Sequence, residues 1–429
     1  MRINFVLPLF LFLCQSVMGA PQDMPKKSMG LEDVRALIHQ NRAIVIENLN
    51  KQIAYENLKQ QKSERLPELG IEGTGYLDHD MPITEEMKGS NSLLYHFNIG
   101  TSFDLYAGGK HKYAIRQMAK EQAMSEERQL EVRNQAQLKA FILLYDIHRN
   151  ITYREFIRSS IHLREKEYER IEQLYQNGLV LKSDLLRSKL YITDLQKDEV
   201  SIANSIDILS DELSVLLGME ESFAIQPALE GDLSYKLDES FEELFLYALA
   251  HSPSLKIHRI HQEQADIALK EIRSAQIPNL KFYAQYGVGS ALPVSTYDHR
   301  LGAEVGLKLN ISLSSLYKSK HRQKAQQQRI LQEQVMLNNE EEMLKNRLYE
   351  LYTRYRESLL NIDRALEKIN MSKETTRILT NSYFNQQALL IDVLESETKS
   401  MEASFEWVEA IVDSQKYYWA LKEICGYNL

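Results

Sequence analysis

His258 and His261 stand one helical turn apart and are the nearest approach to a metal site in this sequence. Side chains three residues apart share a helix face, and imidazole is a common ligand for zinc, copper and nickel. No third ligand stands near them, so two solvated histidines are the expected reading. Gly108 and Gly109 invite a phosphate-binding interpretation, but the further glycine and the Lys-Ser/Thr of a phosphate-cradling loop are missing, and a hinge between two elements is expected there instead. Neither a GxSxG nor an HExxH run occurs. No enzymatic activity, metal or cofactor is therefore expected. What remains is carboxylate chemistry. Asp392 and Glu395 are spaced to share one helical face, and Asp184 and Asp392 each follow a turn, where aspartate suits the N-cap of a helix.

The elements that must carry these residues are read from the chain's start. Arg2, the apolar run Ile3 to Leu13 and the small residues around Gly19 and Ala20 have the layout of a secretory leader. Residues 1–19 are taken as that leader, because cleavage after Ala20 would place Pro21 first. A lipid anchor on Cys14 is the poorer alternative, since Leu13 is bulky for such a site. Removal of the leader leaves Cys425 alone, so no intrachain disulfide is expected. After residue 20 no stretch approaches the roughly 18–20 apolar residues of a membrane helix. The net charge of -9 argues against nucleic acid as a partner.

The remaining chain is written twice. LIHQNRAI at 37–44 corresponds to ALAHSPSL at 248–255, and the prolines that follow, Pro67 and Pro278, lie 211 residues apart. YQNGLVLKSDLL from Tyr175 corresponds to YFNQQALLIDVL from Tyr383, and Leu213 with Gly218 to Leu421 with Gly426. The expected division is a first repeat over 20–225, a linker over 226–238 and a second repeat over 239–429.

Inside each repeat the hydrophobic period changes. Tyr95, Phe97, Ile99, Thr101, Phe103 and Leu105 alternate with polar or small residues, as do Leu301, Ala303, Val305, Leu307, Leu309, Ile311 and Leu313. Period two predicts long strands with one oily and one wet face. Shorter partners at 69–77 and 280–288 make one hairpin per repeat, about 69–105 and 280–313, with loops around 80–93 and 290–299. Strands that cross a membrane in a barrel need about 9–11 residues. A soluble sandwich would need more than two isolated hairpins. Four strands cannot close, eight would make a filled barrel and twelve an open one, so passage through the barrel would require three copies.

The rest reads as coiled-coil helix. No proline interrupts 110–176, where Leu144, Ile147, Ile151, Ile157, Ile161 and Ile171 keep spacings built of threes and fours. At 1.5 Å per residue such a helix is roughly 100 Å long. Returning helices are expected over 182–217 and 390–425, with a second long helix over 317–384. Shorter helices, near 43–65 and 255–275, would lie end to end with the returning ones along their long partners.

Two copies of hairpin, very long helix, tip turn and returning helix resemble the TolC-type outer-membrane efflux family. FDLYAGGKHKYA from Phe103 is similar to its strand-to-helix junction, and the tips end in Ser183-Asp184-Leu185-Leu186 and Ile391-Asp392-Val393-Leu394. The resemblance spans nearly the whole chain after the leader. It implies a mostly helical fold with strands, in which a homotrimer joins four strands per protomer into a twelve-stranded barrel in the outer membrane of a Gram-negative cell, continued by a helical tunnel through the periplasm. The partners it implies are a periplasmic adaptor and an inner-membrane transporter. Asp392 and Glu395 match the carboxylates that narrow the entrance, where six of them would favour cations and raise some of their own pKa values. A tyrosine-to-aspartate tie at the tips would map to Tyr383 and Asp184. A second tie uses a basic residue where this chain has Ala388, so that latch is incomplete. The tip turns 177–183 and 385–391 are where an adaptor would dock.

The implied role is an exit duct for an efflux pump or a type I secretion system, passing small molecules, metal ions or proteins. The rival reading is a periplasmic coiled-coil scaffold or adaptor that conducts nothing. It explains the helices but leaves the oily strand faces without a purpose.

Overall fold

The computed structural model describes residues 25–79, 91–229, 233–290 and 299–429. The leader with Cys14, residues 80–90 and 291–298 of the hairpin loops and residues 230–232 of the linker lie outside the described residues. In chain order the elements are β1 (Lys26–Met29), α1 (Leu31–Leu37), α2 (Arg42–Ser63), β2 (Glu68–His79), β3 (Asn91–Ala107), α3 (Lys110–Gln176), α4 (Lys182–Leu216), β4 (Ala224–Pro227), α5 (Phe241–His251), α6 (Pro253–Ser274), β5 (Asn279–Ser290), β6 (His299–Asn310), α7 (Leu313–Phe384) and α8 (Leu390–Ile424). The chain is mostly helical, with a four-stranded antiparallel sheet in the order β2-β3-β5-β6 and a two-stranded parallel pair, β1-β4.

Alternation overstated one strand. β6 ends at Asn310 rather than 313, and α7 opens at Leu313, four residues earlier than expected. The cause lies in Ser312, whose carbonyl already accepts the amide of Ser315 at 3.1 Å and starts the helical ladder while Ile311 and Leu313 still continue the apolar alternation. The equivalent junction in the first half is built differently. A register shift between Asp104 and Tyr106 bulges the end of β3, and Gly108 and Gly109 take left-handed φ of 62° and 89° before α3. A Cβ on Gly108 would stand 2.7 Å from the Ser274 carbonyl oxygen, so the hinge requires glycine for space as well as torsion. His111 at the start of α3 meets Asp104 at 2.9 Å and ties the helix back to the strand.

α3 is the spine. It packs against α2, α4, α6 and α8, while α7 packs against α6 and α8. Polar rungs fix these neighbours. Lys51 of α2 reaches Gln129 at 3.3 Å, Gln264 of α6 reaches Glu121 at 3.1 Å, and Arg154 and Arg158 of α3 clasp Glu199 of α4, each at 2.8 Å.

The main core lies near the middle of α3, where Phe141, Leu144, Tyr145 and Ile147 are fully buried against Met29, Val34, Ile225 and Leu213. Trp419 of α8 packs edge-on against Phe141 at 5.0 Å and donates to the Tyr145 hydroxyl at 3.1 Å. A second core joins Leu244, Leu255, Leu348, Leu421 and Cys425. Both returning helices end on a left-handed glycine. Gly218 (φ 70°) presses on the Gln40 carbonyl and Gly426 (φ 82°) on the His251 carbonyl.

Candidate functional site

Over their central rows the four paired strands sort their side chains into two faces. Across the sheet, Ile71 stands beside Ile99, Tyr286 and Ala303, and Leu69 beside Thr101, Ala284 and Val305. Phe103, Phe282 and Leu307 follow, with the two phenyl rings 5.3 Å apart. Leu69, Ile71, Leu301, Val305, Leu307 and Leu309 are between 62% and 79% exposed. A continuous apolar face of this kind is unusual on a protein surrounded by water.

The opposite face is polar. Its rows read Glu72, Asn98, Gly287 and Gly302; Gly70, Gly100, Gln285 and Glu304; Glu68, Ser102, Tyr283 and Gly306. The Tyr283 hydroxyl donates to Glu304 Oε1 at 2.8 Å, and Gln285 donates to the other oxygen of the same carboxylate. Tyr283 lies flat because Gly306 has no side chain; a Cβ there would be 2.6 Å from the tyrosine oxygen. Both edges of this sheet, β2 and β6, lack a partner strand among the described residues.

At the far end, α3–α4 and α7–α8 form two hairpins whose turns meet over a small core of Ile171, Tyr383, Leu390 and Val393. Each long helix closes with a Schellman pair. Leu179 donates to the Leu174 carbonyl and Gly178 to Tyr175, while Gln387 donates to Ser382 and Gln386 to Tyr383, all at 2.8–2.9 Å.

The expected capping by Asp184 and Asp392 takes another form. The N-cap positions are Leu181 and Leu389, and both aspartates sit at the third helical position. Asp392 reaches back to accept the Leu389 amide at 3.4 Å. Asp392 and Glu395 do share one face, lining an open groove between α7 and α8 of about 770 Å³ with Lys368, Met371, Thr375 and Lys399. Glu395 pairs with Lys399 at 2.7 Å, and that lysine holds the Glu395 carboxyl below its usual range. Within one protomer, then, the shift runs opposite to the rise that the resemblance implies for a ring of six.

Tyr383 is buried and its hydroxyl has no hydrogen-bond partner, so no bond to Asp184 is formed. Burial, with the Asp184 charge as the smaller cause, pushes the phenol up to about 12. The tip is held instead by Arg170, whose guanidinium stacks 3.6 Å from the centre of the Phe384 ring. Sequence reasoning missed that contact, and it missed Arg164, which lies buried between Glu167 and Glu397. Arg164 and Glu167 show the spacing of an ordinary surface pair; nothing nearby marks Glu397 as their partner. His258 approaches Glu340 at 4.0 Å, and among the described residues no group of histidine, cysteine or carboxylate side chains has a metal-binding arrangement.

No protein-family model matches the chain, and no curated protein matches its sequence. Solved structures do match. The outer membrane protein VceC from Vibrio cholerae aligns with a TM-score of 0.77 at 16% identity, over 92% of this chain and 96% of VceC. CusC, described by its transmembrane channel formation, gives 0.79 at 15% identity over 92% of both chains. The open state of the MtrE outer membrane channel from Neisseria gonorrhoeae gives 0.70 at 17% identity, over 93% of this chain and 89% of MtrE. The chain therefore has the fold of the TolC-type outer-membrane efflux channels.

Proposed function

We propose that this chain is one protomer of a homotrimeric outer-membrane exit duct, the passive outlet of an efflux pump or a type I secretion system. The observation that carries this reading is the sheet: its central rows are oily on one face and polar on the other, both edges lack a partner strand among the described residues, and helices of roughly 100 Å lead away from it. Its strands are 12, 17, 12 and 12 residues long, against the roughly 9–11 that cross a bilayer with tilt. Lipid would cover the oily face and water the polar one. Three copies supply twelve strands, enough to leave an aqueous opening.

The helices then form a periplasmic tunnel, with the tips at 177–183 and 385–391 turned toward an adaptor and an inner-membrane transporter. Asp392 and Glu395 line the narrow entrance and bias it toward cations, moderated by Lys399. Cargo is chosen by the transporter and comprises small molecules, metal ions or proteins. A non-conducting scaffold would leave the apolar sheet face in water.

The test is extraction of the mature protein from outer membranes in detergent, measurement of its oligomeric mass and reconstitution in planar bilayers. The expected result is a trimer with discrete cation-selective conductances, and weaker selectivity after Asp392→Asn with Glu395→Gln. A monomer that stays soluble without detergent and conducts nothing would sink the reading.

A further inference from the structure

Between α3, α7 and α8, about midway from the main core to the tips, lies an open pocket of about 610 Å³. Its walls are Phe156 and Leu163 of α3, Leu366 and Ile369 of α7, and Met401 and Trp407 of α8. Into this apolar setting project Arg164 and Glu397, which are 6% and 7% exposed. The guanidinium contacts both Glu167 and Glu397, so one buried cation serves two carboxylates. Nη1 of Arg164 pairs with Oε1 of Glu397, while Oε2 of Glu397 and Nε of Arg164 have no hydrogen-bond partner. The hydroxyl of Thr376, which lines the same pocket, is also unpaired. Buried charges with unfilled hydrogen-bonding capacity are costly. A site of this volume, with apolar walls and a few converging polar groups, is what a small ligand requires.

The sign of the ligand follows from the charges around Glu397. α3 presents Arg164, Glu167 and Arg170; α4 presents Tyr191; α8 itself adds Glu402; α7 adds Lys373, which lines the pocket but makes no ion pair with Glu397. Arg164 is already shared between two carboxylates, and the unfilled acceptor is Oε2 of Glu397. We propose that this pocket binds a small amphiphilic cation, with its charge against the Glu397 carboxylate and its apolar body between Phe156, Ile369, Met401 and Trp407. All of its lining residues come from one protomer, so cation binding and conductance are tested separately and the failure of one does not decide the other.

Burial pushes Glu397 up to about 7, with Arg164 opposing and Glu167 adding to the rise. A proton and the cation therefore compete for the same oxygens, and binding strengthens as the pH rises through neutrality. The experiment is equilibrium dialysis of tetraphenylphosphonium against the detergent-solubilised full protein, with an empty-micelle control and the isosteric anion tetraphenylborate alongside. Saturable binding of the cation is expected at pH 8, weaker on the order of tenfold at pH 5.5, and absent for the anion. Glu397→Gln should lose most of the affinity and all of the pH dependence. Ser400→Trp, which fills the pocket while keeping both Arg164 and Glu397, should block binding while preserving the oligomeric mass, and it keeps the test decisive if Glu397→Gln fails to assemble. Equal binding of both ions, a pH-independent affinity, or no saturable binding at pH 8, as when a neighbouring copy fills the pocket, overturns the proposal.

Discussion

Gly218 ends α4 against the Gln40 carbonyl and Gly426 ends α8 against the His251 carbonyl, so the two halves of the chain agree at this joint to the residue. At the far tips they part. Gly178 closes α3 with φ 71°, and the equivalent residue after α7 is Gln386, also left-handed at φ 62°. The difference teaches when a left-handed turn demands glycine. A Cβ on Gly218 or Gly426 would meet a carbonyl oxygen at 2.6 or 2.5 Å, whereas a Cβ on Gly178 would meet nothing within 4 Å. Torsion alone is a modest cost that a tip can carry; torsion added to a backbone collision is not.

Substitutions can break that comparison or sharpen it. The largest effect is expected for Gly218→Ala and Gly426→Ala, each losing about 3 kcal/mol or more in denaturant titration, because the left-handed strain is joined by a displaced neighbouring strand of backbone. A loss below about 1 kcal/mol at both sites would show that the joint yields and that the halves agree there for another reason. At the open tips the effects should be smaller, and opposite in sign to each other. Gln386→Gly should gain about 1 kcal/mol of tip stability, read as slower amide exchange around Ser382, and Gly178→Gln should lose about as much. Equal responses of the two tips and the two joints would erase the distinction.

Only the second tip carries the aromatic ring that meets Arg170, so Arg170→Ala should loosen the contact between the hairpins by about 0.5–1 kcal/mol, measured by limited proteolysis at the turns. Smallest of all is Tyr383→Phe. A hydroxyl that is buried without a partner contributes nothing favourable, so its removal should be neutral or slightly stabilising. A clear loss of stability would instead restore the tie to Asp184 implied by the family resemblance.

Local pattern carried the long elements and failed at their meeting points. The strands β3 and β6 were legible because Phe97 and Ile99, or Val305 and Leu307, alternate with polar neighbours, and α3 because nothing in it breaks a helix. The parallel pair β1–β4 was not, since four-residue segments such as KKSM and AIQP have no period to detect and their pairing joins Lys26 to Ala224. α5 had an unused signal: Ser240 and Glu243 form a capping box, with the Glu243 amide donating to the serine oxygen at 3.3 Å and the Ser240 amide to Glu243 at 2.8 Å. The two carboxylates Asp392 and Glu395 could be placed on one face from spacing alone. Glu397 looked no different from them. That it is buried while Glu395 is exposed depends on where α3 crosses α8, which only the assembled helices decide.

Among the described residues the sheet has two open borders, β2 and β6, and each is a row of backbone amides and carbonyls with no strand beside it. Among the described residues the four long strands are already used in the order β2-β3-β5-β6, which leaves no further long strand to cover either border. On the homotrimer reading proposed above, completion of this layer is left to encounters between copies, and its rate and extent would depend on how many copies are present. On that same reading, newly made protomers at low abundance would linger with adhesive margins exposed, and the time between export and assembly, more than the stability of any one chain, would set how much of the protein matures.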